Sequence, residues 1–426
     1  MVQAVEGMNS LLAVSWTMPP IVLPRSIQIA RTLKALGPLG WQSEVISTTV
    51  ASNVGANIDE EFAKLYLGAY RQHYIEHRES VAASSAWRRL QRRYRPPANL
   101  DEANWIERST RYIIRQLKQQ KCDILVTFAQ PWIDHSIGLE VRRRRHVPWL
   151  AHFSDPWVDS LYYDSSVAEI ASKLEVWREQ ERKIIETADI VVFVTQQTAD
   201  LVMRKYPPLL SRKVRVVPHG FDRDTLTSPA VVNSSAELRV MYTGNIYAGT
   251  RHPVYLFEAV AEMNARSPLA GRLRLDFYGH CPPEVAAKVT ELGIGSIVTF
   301  HGTVGYLDSL RYAAEADLLL LIDAPSDLSV FLPSKIVDYL MLKKPILALT
   351  PSEGASRDVL SPLGHFVVAP TDKSAMIDTL TGIIARHGQG RPLAALKDDV
   401  DAFDIKQTTR LFDKALRDAM AVSKQR

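Results

Sequence analysis

The sequence predicts an α/β protein of two Rossmann-like, doubly wound domains facing a cleft, and three observations carry that expectation. The chain has 426 residues, beyond the ~250 to 300 at which single cores stop growing. Short segments rich in Val, Ile and Leu alternate with amphipathic ones in two successive series, the pattern of parallel sheets buried on both faces. Between the series lies the polar stretch Ser228 to Glu237, with Pro229 and Asn233-Ser234-Ser235, which has the composition of a linker. The expected division is 1–222, 223–402 and a C-terminal helix within 403–426.

In the first series the apolar run Leu11 to Trp16 reads as a strand and the Pro-rich Met18 to Pro24 as a loop. Ser26 to Leu36 reads as a helix, because Ile27, Ile29, Ala30, Leu33 and Leu36 recur at helical spacing. Ser43 to Ser47 supplies the next strand, completing a βαβ unit with parallel strands and a right-handed crossover. Residues 52–100 break the rhythm: polar, basic and helix-like up to Pro96-Pro97, they read as a helical insertion on the first domain. The alternation resumes with helix Trp105 to Gln119, strand Ile124 to Phe128, helix Ile137 to Arg145 and strand Trp149 to Phe153. Helix Ala168 to Thr187, strand Ile190 to Val194, helix Thr198 to Lys205 and strand Val214 to Pro218 complete it.

The second series runs from strand Leu238 to Tyr242 through strands Arg274 to Tyr278, Val298 to His301, Leu318 to Ile322, Pro345 to Leu349 and His365 to Val368. Helical patterns separate them. In Phe403 to Val422, Leu411, Phe412, Ala415, Leu416 and Met420 share one helical face; this helix must be buried, with the first domain as its expected partner.

Composition narrows the function classes. An apolar fraction of 46% with 23% charged residues is ordinary for a globular chain. Met1 to Ser10 has no Lys or Arg and the apolar run after it is cut by Pro19-Pro20, so no secretory signal is expected. Leu318 to Ile322, the most apolar stretch, is far short of a bilayer span. Cys122 and Cys281 are too few for a disulfide framework or a zinc site, which fits a reducing cytosol. The formal charge of +4 is mild but clustered, with one block from Trp87 to Arg95 and another from Arg142 to Arg145. In the first block Trp87, Leu90 and Tyr94 fall at i, i+3 and i+7 beside Arg88, Arg89, Arg92 and Arg93. This pattern suits an anionic membrane surface and equally a solvated helix packed by its aromatic stripe. No nucleic-acid-binding module is recognisable, and nucleic acid is not an expected partner.

The sharpest chemical signal is Phe331-Leu332-Pro333-Ser334-Lys335-Ile336-Val337-Asp338-Tyr339-Leu340 followed by Lys344-Pro345-Ile346-Leu347. Pro333 suits a helix's first turn and Ser334, or the residue before the proline, its cap. Such a turn offers free N–H groups and the positive end of a helix dipole, with the Lys335 ammonium added, a site for a diphosphate. Asp338, one turn on from Ser334, is within reach of ribose hydroxyls. The plain alternative is a capped helix with a solvated Lys and Asp.

This segment resembles the donor-binding region of GT-B glycosyltransferases of the family 4 type, which implies that Asp338 binds the donor ribose and the helix start holds the diphosphate. Val330 stands where that family's E-x7-E pattern has its first acid. Tyr242-Thr243-Gly244-Asn245 up to Arg251 is similar to the family's loop opening the C-terminal domain, in which Gly244 lets the backbone approach phosphate and Arg251 neutralises it. Asn245 stands where many relatives carry an Arg directly after the Gly. Phe300-His301-Gly302-Thr303-Val304 resembles the loop beside the nucleotide base, with Gly302 and Val304 reading it. Val217-Pro218-His219-Gly220-Phe221-Asp222 resembles the interdomain hinge, with His219 for the usual Asn.

On the acceptor side, Ala151-His152-Phe153-Ser154-Asp155-Pro156-Trp157 resembles the family's Asp-Pro-Trp loop. It follows a strand end, where open α/β sheets put ligands. His152 or Asp155 would position or deprotonate an acceptor hydroxyl, although Asp before Pro also starts ordinary turns. His135 is a weaker candidate. The resemblance implies a retaining, metal-independent glycosyltransferase with no cofactor beyond its nucleotide-diphosphate sugar donor. Its acceptor would be a glycan or lipid-linked molecule. Lys335 and Arg251 would stabilise the departing diphosphate. The expected location is cytoplasmic, peripheral on the inner membrane face. Two other readings stay open: a GT-B-fold nucleotide-sugar epimerase or hydrolase, and a non-catalytic membrane-associated homologue, the latter favoured by Asn245 and Val330.

Overall fold

The computed structural model describes residues 7–77, 100–119, 122–160, 163, 166–226 and 236–425. The basic block with Arg88, Arg89, Arg92 and Arg93 and nearly all of the expected linker lie outside the described residues. The chain forms two compact units: Met1–Gly220 with Ile405–Arg426, and Phe221–Asp404.

The first unit is built in order from β1 (Asn9–Val14), α1 (Pro24–Leu36), β2 (Trp41–Thr48), α2 (Glu60–Lys64), β3 (Arg71–Ile75), α3 (Leu100–Gln119), β4 (Ile124–Phe128), α4 (Ile133–Arg144), β5 (Trp149–Phe153), α5 (Ala168–Thr187), β6 (Ile190–Phe193), α6 (Gln196–Met203) and β7 (Val214–Val216). Its sheet runs β3-β2-β1-β4-β5-β6-β7 with every pair parallel. All five residues of β4 and of β5 are buried, because helices cover both faces of a parallel sheet. α1 begins where Pro24, lacking the N–H that a first turn leaves unpaired, follows Leu23. The Leu23 N–H donates to Ser26 Oγ at 2.9 Å.

One expectation is corrected here. Residues 71–75, read as part of a helical insertion, form the edge strand β3. An edge strand half open to solvent does not need the apolar pattern of a buried one. Its polar side chains find partners on β2 instead: Gln72 Nε2 donates to Ser47 Oγ at 2.9 Å, and His73 Nε2 lies 2.8 Å from Glu44 Oε2.

The second unit comprises β8 (Leu238–Thr243), α7 (Val254–Arg266), β9 (Leu273–Tyr278), α8 (Pro283–Glu291), β10 (Val298–Gly302), α9 (Tyr306–Glu315), β11 (Leu318–Ile322), β12 (Leu328–Ser329), α10 (Lys335–Met341), β13 (Ile346–Leu349), β14 (Glu353–Gly354), α11 (Ala355–Leu360), β15 (Phe366–Val368) and α12 (Lys373–Gly388). Its main sheet is β10-β9-β8-β11-β13-β15, again parallel throughout, and β12 pairs with β14.

The final helix, α13 (Ile405–Lys424), belongs to the first unit. Phe412, Ala415, Leu416 and Ala419 are buried, with Phe412 stacked on Phe128 at 6.0 Å, and Trp41 Nε1 donates to Asp413 Oδ1 at 2.7 Å. Leu411, placed on the buried face by spacing, is 47% exposed; it turns just off the stripe that Phe412 defines. No helix among the described residues is long and apolar enough to cross a membrane.

Candidate functional site

In the second unit three glycines lie side by side at the C-terminal ends of β8, β9 and β10, where such sheets receive ligands. The Gly244 N–H donates to the Tyr278 carbonyl and the Gly279 N–H to the Gly302 carbonyl, both at 2.7 Å. Their φ angles are +130°, +133° and +75° for Gly244, Gly279 and Gly302, a region L side chains rarely adopt. A Cβ on Gly279 would stand 2.3 Å from the Gly244 carbonyl oxygen, so the strand ends are closer than any side chain would allow. Gly279 was not singled out from the sequence; its signal is a glycine directly after the apolar strand.

Lys335, the first residue of α10, projects onto this floor. Its Nζ donates to the Thr243 carbonyl at 2.6 Å and lies 3.9 Å from the Tyr242 ring centroid. Burial, and then the Arg251 charge, hold its pKa well below the usual lysine value against the pull of Asp323. Arg251 packs over the Tyr247 ring at 4.9 Å within a hairpin closed by mutual Tyr247–Arg251 backbone bonds of 2.9 Å. The turn is therefore a genuine hairpin, and it brings the guanidinium close enough to act on Lys335 and Asp323. Asp323, at the end of β11, was missed by sequence reasoning; it accepts from Thr350 Oγ1 at 2.6 Å. Burial raises its pKa.

The start of α10 differs from expectation. The helix has seven residues, Ser334 stands at the N-cap position without a side-chain cap bond, and Pro333 lies before it with its carbonyl accepting from the Ile336 N–H at 2.9 Å. Asp338 points inward, 7% exposed, with Oδ2 accepting from the Tyr306 hydroxyl at 3.0 Å. Tyr306 opens α9 directly after the loop of Gly302 and the half-buried Val304, so that loop and Asp338 are tied together. Asn245 is exposed, and its Oδ1 accepts from the His280 N–H at 3.0 Å. Val330 is buried at 2% exposure. A separate open cleft of about 340 Å³ lined by Ser326, Asp327, Ser352, Glu353 and Thr371 contains none of the predicted residues.

In the first unit His152 and Asp155 meet at the end of β5, together with residues from three other segments. The His152 ring lies 5.2 Å from Phe128 and 6.0 Å from Phe412 of α13. Arg25, in the first turn of α1, places Nη2 3.4 Å from His152 Nδ1 and 3.3 Å from the His152 carbonyl oxygen. Burial brings the Arg25 pKa down to about 10, opposed by Asp155 and Asp134. Asp155 Oδ2 accepts from Gln130 Nε2 and from Ser154 Oγ, both at 3.2 Å; burial raises its pKa, with Arg25 the largest opposing influence. Trp132 and Trp157 stack beside this loop at 5.4 Å.

His135 is fully buried with Nδ1 2.8 Å from Thr127 Oγ1, and burial holds its pKa near 3, the behaviour of a core histidine. His219 is half-buried, its pKa lowered to about 3 by burial and then by Arg25 and Arg31. Arg142, from the second basic block, is consumed internally by the Val147 carbonyl at 2.6 Å and Asp189 at 3.0 Å. Arg25 and Gln130 carried no signal of their own in the sequence beyond the position of Arg25 after Pro24 at a helix start, and Phe412 was expected only on the buried face of the last helix.

The sequence model of Glycosyltransferase Family 4 matches residues 27–225. No curated protein matches the sequence significantly. Among solved structures, sucrose-phosphate synthase from Thermosynechococcus elongatus superposes with a TM-score of 0.68 at 16% identity, covering 97% of this chain and 99% of that one. S. aureus TarM, in a complex with fondaparinux, alpha-GlcNAc-glycerol and UDP, gives 0.62 at 8% identity, covering 98% and 100%. A Listeria monocytogenes UDP-N-acetylglucosamine 2-epimerase gives 0.57 at 13% identity, covering 95% and 94%. At these identities the likenesses establish the two-domain fold; the chemistry rests on the residues.

Proposed function

We propose that this chain, a glycosyltransferase of the family 4 type with the GT-B fold, moves a sugar from a nucleoside-diphosphate sugar to a hydroxyl of a glycan or lipid-linked acceptor, with retention of anomeric configuration and without a metal ion. The observation that carries the reading is the cation pair of Lys335, over the Gly244, Gly279 and Gly302 floor, and Arg251, whose charge acts on it. A diphosphate taking the place of the Thr243 carbonyl would restore a full counter-charge to the desolvated Lys335 ammonium. Asp338 and the Gly302 to Val304 loop, tied through Tyr306, would take the ribose and base that the resemblance assigns to them.

In the transfer, the bond between the anomeric carbon and the diphosphate oxygen breaks with its electron pair leaving on the diphosphate. The acceptor oxygen bonds the same carbon on the same face, and its proton passes to the departing diphosphate. The residues' part is to stabilise that developing charge, which is where positioned donors act most strongly. On the acceptor side His152 and Asp155 orient the hydroxyl.

The test is sugar transfer from a panel of nucleotide sugars to membrane-derived glycolipid and oligosaccharide acceptors, with and without a chelator, in wild type and in Lys335→Ala. Acceptor-dependent, chelator-resistant turnover lost in the variant supports the reading. The epimerase likeness makes a second reading concrete: donor conversion to an isomer or free sugar at full rate without acceptor would favour it. Peripheral attachment to the inner membrane face through the block at Arg88, Arg89, Arg92 and Arg93 is tested separately, by salt-sensitive co-sedimentation with anionic vesicles.

A further inference from the structure

We propose that Arg25 is a positioning residue that fixes the tautomer of His152, so that Nε2 carries the ring proton and His152 enters the reaction as a hydrogen-bond donor and not as a base. The inference rests on the acceptor-side reading of His152 given above. A guanidinium has only donors, five N–H groups and no acceptor, so the contact of Arg25 Nη2 with His152 Nδ1 at 3.4 Å favours Nδ1 as an acceptor, against the competing bond of the ring to its own carbonyl oxygen, which Arg25 Nη2 also meets at 3.3 Å. A proton on Nδ1 would face an N–H of a cation. A neutral imidazole with Nδ1 unprotonated must bear its proton on Nε2.

The surroundings support the neutral form. His152 is 8% exposed between Phe128 and Phe412, and the other titratable groups acting on it are Arg25, His219 and His135, none of them negative. Asp155 and Asp134, which could favour a cation, act on Arg25. The second Arg25 contact, 3.3 Å to the His152 carbonyl oxygen, grips the same residue's backbone, and the Ala129 N–H donates to that carbonyl at 3.1 Å. Both the ring and its backbone are thereby held. Among the described residues Nε2 has no hydrogen-bond partner, which leaves its N–H for a substrate oxygen. The acceptor's proton must then leave by another route, consistent with its transfer to the diphosphate.

The test is a long-range proton–nitrogen correlation spectrum of the full chain with labelled histidine at pH 7, the His152 signals assigned by their loss in His152→Gln. The expected pattern has Nε2 protonated and Nδ1 bare in the wild type. It should persist in Arg25→Lys, which keeps a donor, and shift toward a tautomer mixture in Arg25→Met. A proton on Nδ1, a doubly protonated ring, or an unchanged pattern in Arg25→Met overturns the inference. Because the spectrum is taken without substrate, it is independent of whether the chain transfers sugar. A failure of transfer with the expected tautomer present would sink the functional reading alone.

Discussion

Lys335 Nζ rests 2.6 Å from the Thr243 carbonyl oxygen while lying 3.9 Å over the Tyr242 ring. The ammonium is thus stored on neutral partners beside a second cation, Arg251, and its charge is the less favourable for it. Such an arrangement stabilises an incoming or departing anion more than a lysine already paired in a salt bridge would. Replacing Lys335 by Ala is expected to lower turnover by about 10²- to 10³-fold, the usual cost of removing a positioned group that meets developing charge. Arg251→Ala should act in the same direction. Steady-state kinetics of both variants check this, and unchanged turnover in the pair would contradict it.

Gly244 makes a sharper test because it touches the same ammonium through space alone. An alanine Cβ there would come 2.5 Å from Lys335 Nζ at a φ of +130°. The substitution is expected to displace Lys335 and weaken nucleotide binding, at a backbone cost on the order of 1–2 kcal/mol. Nucleotide affinity by calorimetry, beside the melting temperature, separates the two effects: affinity should fall by more than the loss of stability alone explains.

How much of this was legible in the sequence depended on how local the signal was. β4, β5 and β11 are wholly buried, mostly apolar runs and read directly as buried parallel strands. Lys335, Asp338, Gly244 and Arg251 sit in contiguous segments with recognisable order. β3 was misread because an edge strand's polar residues are satisfied across the sheet by Ser47 and Glu44, partners no periodicity announces. Arg25, Gln130 and Phe412 gather around His152 and Asp155 from segments distant in the chain, so only the folded structure unites them. Asp323 looked like the polar end of a strand until Thr350 and the two cations were seen around it.

Three histidines with lowered pKa set an acid limit on the first unit. His135 and His219 protonate at about 3 in the folded protein against an ordinary 6.5, and His152 is shifted the same way. The unfolded chain therefore binds more protons over that interval, and stability present above about pH 6.5 is lost as pH falls toward 3. Asp134 has the opposite sign: burial raises it from 3.8 to about 7, so its contribution is complete below 3.8 and lost as pH rises through 7. Asp155 and Glu102 are raised by burial as well and oppose the histidines in the same way, so the acid loss is read at a single histidine. His219→Asn should flatten the pH dependence of the denaturation midpoint between 4 and 6.5 by about one proton. An unchanged slope would place His219 in contact with solvent.

Phe412 joins stability to the cluster around His152, since it is 1% exposed and stacks on Phe128 beside His152. Phe412→Ala should cost about 3–5 kcal/mol, read in a denaturation curve. It should also reduce transfer under conditions where the variant remains folded, because a ring packed against His152 is removed. Full activity in a folded Phe412→Ala protein would separate α13 from the site.

The central claim, that Lys335 and Arg251 hold the diphosphate of a nucleotide-sugar donor, is tested most directly by the thermal stability of the purified protein with UDP, GDP, ADP, CMP and dTDP, in wild type and in Lys335→Ala. A ligand that binds only the folded protein must raise its melting temperature. The account predicts that at least one nucleoside diphosphate stabilises the wild type and fails to stabilise the variant. No shift with any of the five, or an equal shift in both proteins, would contradict it.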